Sequence, residues 1–307
     1  MARLLIGSLL VCGVQSAHAT QTCGKHGVAI QVLGSGGPEL QDKRASSSYL
    51  VWQDGRARVL IDAGGGSALR LGQSTAQLSQ LDAVLFTHLH ADHSSDFPAL
   101  IKSLWFEGRE RPLPVFGPAG NELMPSTSEF VSALFGKRGA YRYLNDALVP
   151  PRQRDYRLQV HDVAADAAVT TVLRSGDLAV SAARVVHGPI PALAWRIEID
   201  GATVAFSGDT SGEGKHLPEL LADVDLFVAH NAIPEGATGV ERRLHMPPSV
   251  IGQLAHNARA QSLALSHRML RTLGKEDATL SEIRKRYAGP TTFSDDLDCF
   301  PLPDRTR

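Results

Sequence analysis

Thr87-His88-Leu89-His90-Ala91-Asp92-His93 places four side chains able to ligate a metal within six residues, directly after the apolar run Ala83-Val84-Leu85-Phe86. A short apolar run closed by a polar residue reads as a buried strand. Backbone curving away from its end can aim several side chains at one point. Imidazole nitrogen suits borderline cations such as zinc, and a nearby carboxylate adds charge and hardness. Histidines spaced by chance on a surface rarely gather so densely, so a metal site is the expectation.

Three later positions extend it. His187 ends the run Leu178–Val186, Asp209 lies in Phe206-Ser207-Gly208-Asp209-Thr210 after another run, and His267 follows Ser262–Ser266. A lone histidine at a strand end is more often a hydrogen-bonded structural group than a ligand. Three such positions at strand C-termini, beside the first cluster, favour ligation, because loops at that edge of a sheet carry function.

The remaining pattern predicts the layers. Strands are expected at Val28–Leu33, Tyr49–Trp52 and Arg58–Ile61, with an Asp54-Gly55 hairpin turn between the last two. They return at Leu178–Val186, Ala194–Ile199, Thr203–Phe206, Leu226–Ala229 and Ser262–Ser266. Helices are expected near Phe97–Leu104, Ser128–Phe135, Pro247–Ala258 and Leu280–Tyr287. Each half runs strands, helix, strand, which implies an α/β (α+β) fold in which two packed sheets carry helices outside, a four-layer αββα sandwich. Residues 105–165, rich in Pro, Arg and aromatics and weakly periodic, read as a variable insert: a loop packed on the core, a substrate lid or a dimer arm.

Composition narrows the class. The chain has 307 residues with Lys+Arg 31 against Asp+Glu 32, so bulk electrostatic binding of nucleic acid or a membrane surface is not expected. Arg3, the apolar run Leu4–Val14 and the small-residue site Ala17-His18-Ala19 mark residues 1–19 as an export signal, too short to span a bilayer. The single mature domain is then 20–307, periplasmic or secreted, with no membrane attachment after cleavage. Cys23 and Cys299 remain, one near each end, and an oxidising compartment would permit their pairing or leave both free.

From about Val28 to Phe293 the motif order resembles that of the binuclear metallo-β-lactamase-fold hydrolases. The match runs through Leu33-Gly34-Ser35-Gly36-Gly37, Arg44-Ala45-Ser46-Ser47-Ser48 and Ile61-Asp62-Ala63-Gly64 to the branch of ribonuclease Z and the secreted arylsulfatases. The resemblance implies one ion on His88, His90 and His187, a second on Asp92, His93 and His267, and Asp209 bridging them. Asp62 would support the metal loop from behind. Two divalent ions, zinc foremost, would share a hydroxide as nucleophile. Asp92 would serve catalysis as well as ligation, and His245 would act as proton donor or oxyanion contact.

Two departures stand out. His230 sits where ribonuclease Z carries a His-Glu pair, but Asn231 replaces the glutamate. Only 22 positions separate His187 from Asp209, too few for an arm that grips tRNA. With export, these point to an exported hydrolase of a small anionic ester, a phosphodiester or aryl sulfate, without a nucleic-acid partner. A homodimer is compatible with this. Arg109, Arg111, Lys137, Arg138 and Arg142 are candidates to meet the anion, or else a solvated face. The rival readings are a lactonase of the same fold and a non-catalytic periplasmic metal-binding protein.

Overall fold

The structure, a computed structural model, describes residues 23–151, 156–164 and 168–305; the expected leader, residues 1–19, lies outside them. In chain order the strands are β1 (Val28–Gly34), β2 (Ser48–Gln53), β3 (Arg56–Ile61), β4 (Ala83–Leu85), β5 (Leu113–Pro118), β6 (Leu158–Val163) and β7 (Thr170–Ser175). They continue with β8 (Leu178–His187), β9 (Ile190–Ile199), β10 (Ala202–Phe206), β11 (Leu226–His230), β12 (Ser262–Ser266), β13 (Thr291–Phe293) and β14 (Cys299–Pro301). The helices are α1 (Ser67–Ser74), α2 (Ala91–Ser94), α3 (Phe97–Leu104), α4 (Thr127–Phe135), α5 (His216–Leu220), α6 (Gly239–Leu244), α7 (Pro248–Asn257) and α8 (Glu276–Arg284).

Among the described residues the strands form two seven-stranded sheets, ordered β14-β1-β2-β3-β4-β5-β6 and β13-β12-β11-β10-β9-β8-β7. Alternation along each strand shows why two sheets must pack. In β1, Val28, Ile30 and Val32 enter the core shared by both sheets, while Ala29 and Leu33 enter a core under α1, α3 and α4. In the second sheet Val204 and Val228 face the shared core, whereas Ala205, Phe227 and Ala229 face α5, α7 and α8. Strands buried on both faces need the near-continuous apolar runs seen in the sequence. The three apolar layers make the αββα sandwich.

Two hairpins set register as their turn residues require. Asp54 and Gly55 have φ of 46° and 76°, and Asp200 and Gly201 have 50° and 76°, the left-handed pair of a two-residue turn between β2 and β3 and between β9 and β10. The 105–165 stretch is more regular than its weak periodicity predicts. It supplies β5 and β6, which extend the first sheet in parallel, and α4, whose N-terminus carries a capping box between Ser126 and Glu129. Parallel pairing of isolated runs depends on distant partners, which is why the local pattern is faint.

The direction of the strands places the site. β3 to β6 are parallel, and so are β10 to β13, while β8 runs antiparallel to β9, which runs antiparallel to β10. The C-terminal ends of β3, β4, β8, β10, β11 and β12 therefore share one edge of the sandwich. No helix among the described residues is long and apolar enough to cross a membrane.

The chain ends are tied. Cys23 and Cys299, 276 positions apart in the sequence, form a disulfide with Cα atoms 5.6 Å apart, fastening β14 beside β1. A long closed loop restricts the unfolded chain strongly, so replacing both cysteines with serine should lower stability by about 2–4 kcal/mol. Urea unfolding of the two proteins checks this, and reductant should bring the native protein to the midpoint of the variant.

Candidate metal centre

The site begins with a strained carboxylate behind the histidine motif. Asp62, first residue after β3, adopts φ 55°, a left-handed conformation that is unfavourable for a residue bearing a Cβ. Its Oδ1 accepts from the Thr87 backbone N–H at 2.7 Å, and its Oδ2 accepts from the Thr87 hydroxyl at 2.8 Å. His93 Nδ1 lies 2.8 Å from the same Oδ2, so the fully buried Asp62 fixes the histidine motif at both ends. With Nδ1 engaged, His93 turns Nε2 inward. The single turn α2, starting after His90, brings Asp92 and His93 back toward His88.

Opposite, the backbone must come close. Gly208 has φ 56°, and a Cβ there would lie 2.8 Å from Thr87 Cβ, so only glycine lets Asp209 approach the motif. His187 Nδ1 donates to the Leu244 carbonyl at 2.9 Å, which leaves its Nε2 facing the cluster. His267, directly after β12, is also left-handed at φ 51°.

These constraints make two groups sharing one carboxylate. His88 Nε2 is 3.0 Å from His90 Nδ1, and His187 Nε2 is 3.5 Å from the same atom. On the other side Asp92 Oδ2 lies 3.2 Å from His267 Nε2 and 3.6 Å from His93 Nε2. Asp209 stands between. Its Oδ2 is 3.9 Å from His88 Nε2 and 3.8 Å from both His187 Nε2 and His93 Nε2, and its Oδ1 is 3.3 Å from His267 Nε2.

The electrostatics are those of a site built for positive charge. Burial alone would push the Asp209 carboxyl up, but His267, the hydrogen bond with His230 and His93 outweigh it and hold it well below the usual range. Burial and neighbouring imidazoles push His88 and His90 down, keeping both neutral as ligands must be. Against burial, Asp92, Asp62 and Asp209 raise His93 to about 9. A divalent cation answers the same negative charge. His93 Nε2 is buried without a hydrogen-bond partner, and the surrounding donors are imidazole nitrogens and carboxylate oxygens. The residues present therefore fit a metal ion.

Six of the seven candidate ligands, His88, His90, His93, His187, Asp209 and His267, fall in groups whose donor atoms converge, Asp92 adjoins them through His267 and His93, and His245 joins with Nδ1 3.8 Å from Asp209 Oδ2. His230 is a further member whose part the sequence left open: its Nδ1 lies 2.7 Å from Asp209 Oδ1, and its Nε2 lies 3.0 Å from the Tyr49 hydroxyl. The arginine candidates lie elsewhere. Arg109 is buried and donates to the carbonyls of Ser79, Leu81, Arg111 and Pro112, while Arg111 pairs with Asp82. Asp82 precedes β4 and His88 follows it, so both arginines sit at the far end of that strand. Lys137, Arg138 and Arg142 are exposed.

Asp296, unremarked in the sequence, clamps the loops that frame the centre. Its carboxylate accepts from Ser35 N at 3.0 Å, Ser35 Oγ at 2.7 Å, Ala45 N at 2.9 Å and Arg70 Nε at 3.0 Å. Ser35 in turn accepts through its carbonyl from the Arg268 N–H beside His267, and Ser46 N–H donates to Gly65 in the loop after Asp62. Its contacts are long-range, so no local motif could have marked it.

Residues 57–268 match the family model described as the beta-lactamase superfamily domain. The chain belongs to the metallo-β-lactamase superfamily. Within it, this hydrolase falls in the ribonuclease Z branch: it is 34% identical over 208 residues to a ribonuclease Z of Mycobacterium bovis (strain BCG / Pasteur 1173P2), covering 65% of this chain and 68% of that protein. A ribonuclease Z of Mycolicibacterium paratuberculosis is 29% identical over 284 residues, 88% of this chain and 96% of the relative. In fold, the metallo-β-lactamase-fold protein YhfI of Bacillus subtilis has a TM-score of 0.69 at 19% identity, covering 89% of this chain and 98% of that one. The short form of human tRNase Z has 0.70 at 19%, covering 90% and 99%.

These relatives correct one expectation. A small anionic ester as partner, with nucleic acid excluded, does not stand, because the relatives that share this sequence are ribonucleases. A net charge near zero averages over the whole surface and is blind to the local field of a cation centre. The short span from His187 to Asp209 leaves no room for an arm, but says nothing about which bond such a centre would cleave.

Removing the anchor behind the motif should loosen the site without deleting a ligand. Asp62→Ala is expected to weaken zinc binding about 10–100-fold, read by competition with a chromophoric chelator. Native affinity in that variant would mean that His93 is oriented by something else.

Proposed function

We propose that this chain is a two-metal phosphodiesterase that cleaves RNA. The observation that carries the proposal is the position of Asp209, one buried carboxylate within 3.9 Å of imidazole nitrogens from both histidine groups. His88, His90 and His187 would hold one ion, and Asp92, His93 and His267 the other, with Asp209 shared. When bound, two divalent ions, zinc foremost, would supply Lewis acidity and a water activated for attack on phosphorus. The 34% identity to a ribonuclease Z supports RNA as the source of the phosphodiester.

The protein's own part is positioning and proton handling. Asp62 and the Leu244 carbonyl orient His93 and His187, and His230 braces Asp209 while leaning on Tyr49. Burial is the first cause that lowers His245, to about 3, so it starts neutral. Its Nδ1, buried without a hydrogen-bond partner, would take the proton released by the attacking water and return it to the leaving oxygen. A donor role for His245 therefore uses a proton gained within the cycle.

Zinc-loaded protein should cleave a single-stranded RNA and a 3′-extended tRNA transcript, and release nitrophenol from bis-p-nitrophenyl phosphate. Asp209→Asn should lower both zinc occupancy and kcat, because the negative charge shared by the two ion positions is removed. His90→Ala should also lose one equivalent of zinc by elemental analysis. Lactone opening without RNA cleavage would instead favour the lactonase, and two bound ions with no turnover a metal-binding protein.

Export belongs to the same reading, supported by the Cys23–Cys299 disulfide, since such bonds persist in oxidising compartments. An exported enzyme would meet RNA outside the cytoplasm. Expressed whole in a bacterium with an outer membrane, the protein should appear in the periplasmic fraction with Thr20 as its first residue. An intact Met1 in the cytosolic fraction would refute this part.

A further inference from the structure

The turn after His187 does more than carry a ligand. Val186 and Gly188, its neighbours on either side, line a cleft of about 400 Å³ whose other wall is the chain that leaves β5. That volume falls in the lower part of the range of small-molecule sites, about 300–1,000 Å³. The C-terminal end of β5 and the end of β8 lie at the edge where the metal centre sits, so the cleft adjoins that centre.

Two features show what it is shaped for. Asn121 is a strut: its Nδ2 donates to the Pro189 carbonyl at 2.8 Å across the cleft, and its Oδ1 accepts from Leu123 N and Met124 N at 2.9 Å. The walls are thus held at fixed separation, and Val186, Pro189 and Pro191 offer rigid apolar surface between them. Arg184, three residues before His187, is exposed on the lip and makes no ion pair or side-chain hydrogen bond among the described residues. Arg58, Arg109 and Arg196, by contrast, are committed to carboxylates or carbonyls. An uncommitted guanidinium beside a flat apolar slot matches a phosphate joined to a ring.

We propose that this cleft is a nucleotide subsite, which seats one nucleotide flanking the scissile bond with its base against Val186, Pro189 and Pro191 and its phosphate on Arg184. The proposal rests on the reading of the chain as an RNA phosphodiesterase. It gives this chain a grip on RNA where an arm between β8 and β10 is missing, and it predicts recognition of single-stranded substrate, since a base in the slot cannot remain paired.

The test separates the subsite from the activity. Binding of a fluorescein-labelled single-stranded RNA to the zinc-loaded full protein is followed by anisotropy, and kcat and KM are measured for that RNA and for bis-p-nitrophenyl phosphate. Arg184→Glu should weaken RNA binding at least ~10-fold, and should raise the KM for RNA at least ~10-fold more than the KM for the small diester. Arg184→Gln should reduce the salt slope of RNA binding by about one. Because Arg184 is exposed, both variants should keep native circular dichroism and two zinc ions. Equal RNA affinity in wild type and Arg184→Glu overturns the subsite, as does an equal rise in both KM values, which would place Arg184 at the metal centre. RNA binding that depends on Arg184 without RNA cleavage supports the subsite and overturns the assigned activity.

Discussion

A fully buried carboxylate cannot remain ionised unless positive charge is brought to it, because burial in low dielectric strongly disfavours the charged form. Asp209 is that carboxylate, and much of the molecule is arranged around it. Imidazoles from the ends of β4, β8, β11 and β12 reach it, together with His245 from the end of α6. Each imidazole needs its own anchor, and the anchors lie in the body of the fold: Asp62 for His93, the Leu244 carbonyl for His187, Tyr49 for His230. The cation centre and the sandwich are therefore one construction.

The loops that frame the centre are pulled together from far along the chain. Asp296 gathers the turns after β1 and before β2 and pins α1, and the segment that carries it runs into β14, which the Cys23–Cys299 disulfide fastens. Gly36 bridges Ser46 on one side and Arg268 on the other, so the two halves of the centre share a backbone seam. Disruption at the C-terminus would reach the metal loops through this chain of hydrogen bonds rather than through the hydrophobic layers.

A near-neutral chain with a concentrated cluster of imidazoles and carboxylates is compatible with the proposed attack on an anionic diester. Most arginines brace the fold: Arg58 and Arg111 pair with Asp82, and Arg109 saturates a ring of carbonyls. Arg184 makes no such pairing among the described residues and lines the cleft beside His187.

How much of this was legible depended on how local each cause was. The histidine motif, the two-residue turns at Asp54-Gly55 and Asp200-Gly201, and the doubly buried strands are written in neighbouring residues, so the four layers and all seven candidate ligands could be read from the chain. β5, β6, β7, β13 and β14 escaped, because an edge or parallel strand is defined by a partner the local pattern does not contain. Asp296 and the bracing by Tyr49 escaped for the same reason, their partners lying across sheets or at the other end of the chain. Sequence alone determined which side chains could bind a metal, through their chemistry and their place at strand ends. Only tertiary structure decided that one carboxylate sits among all of them and that a cleft opens beside His187, because both are distances between segments that meet nowhere but in the folded protein.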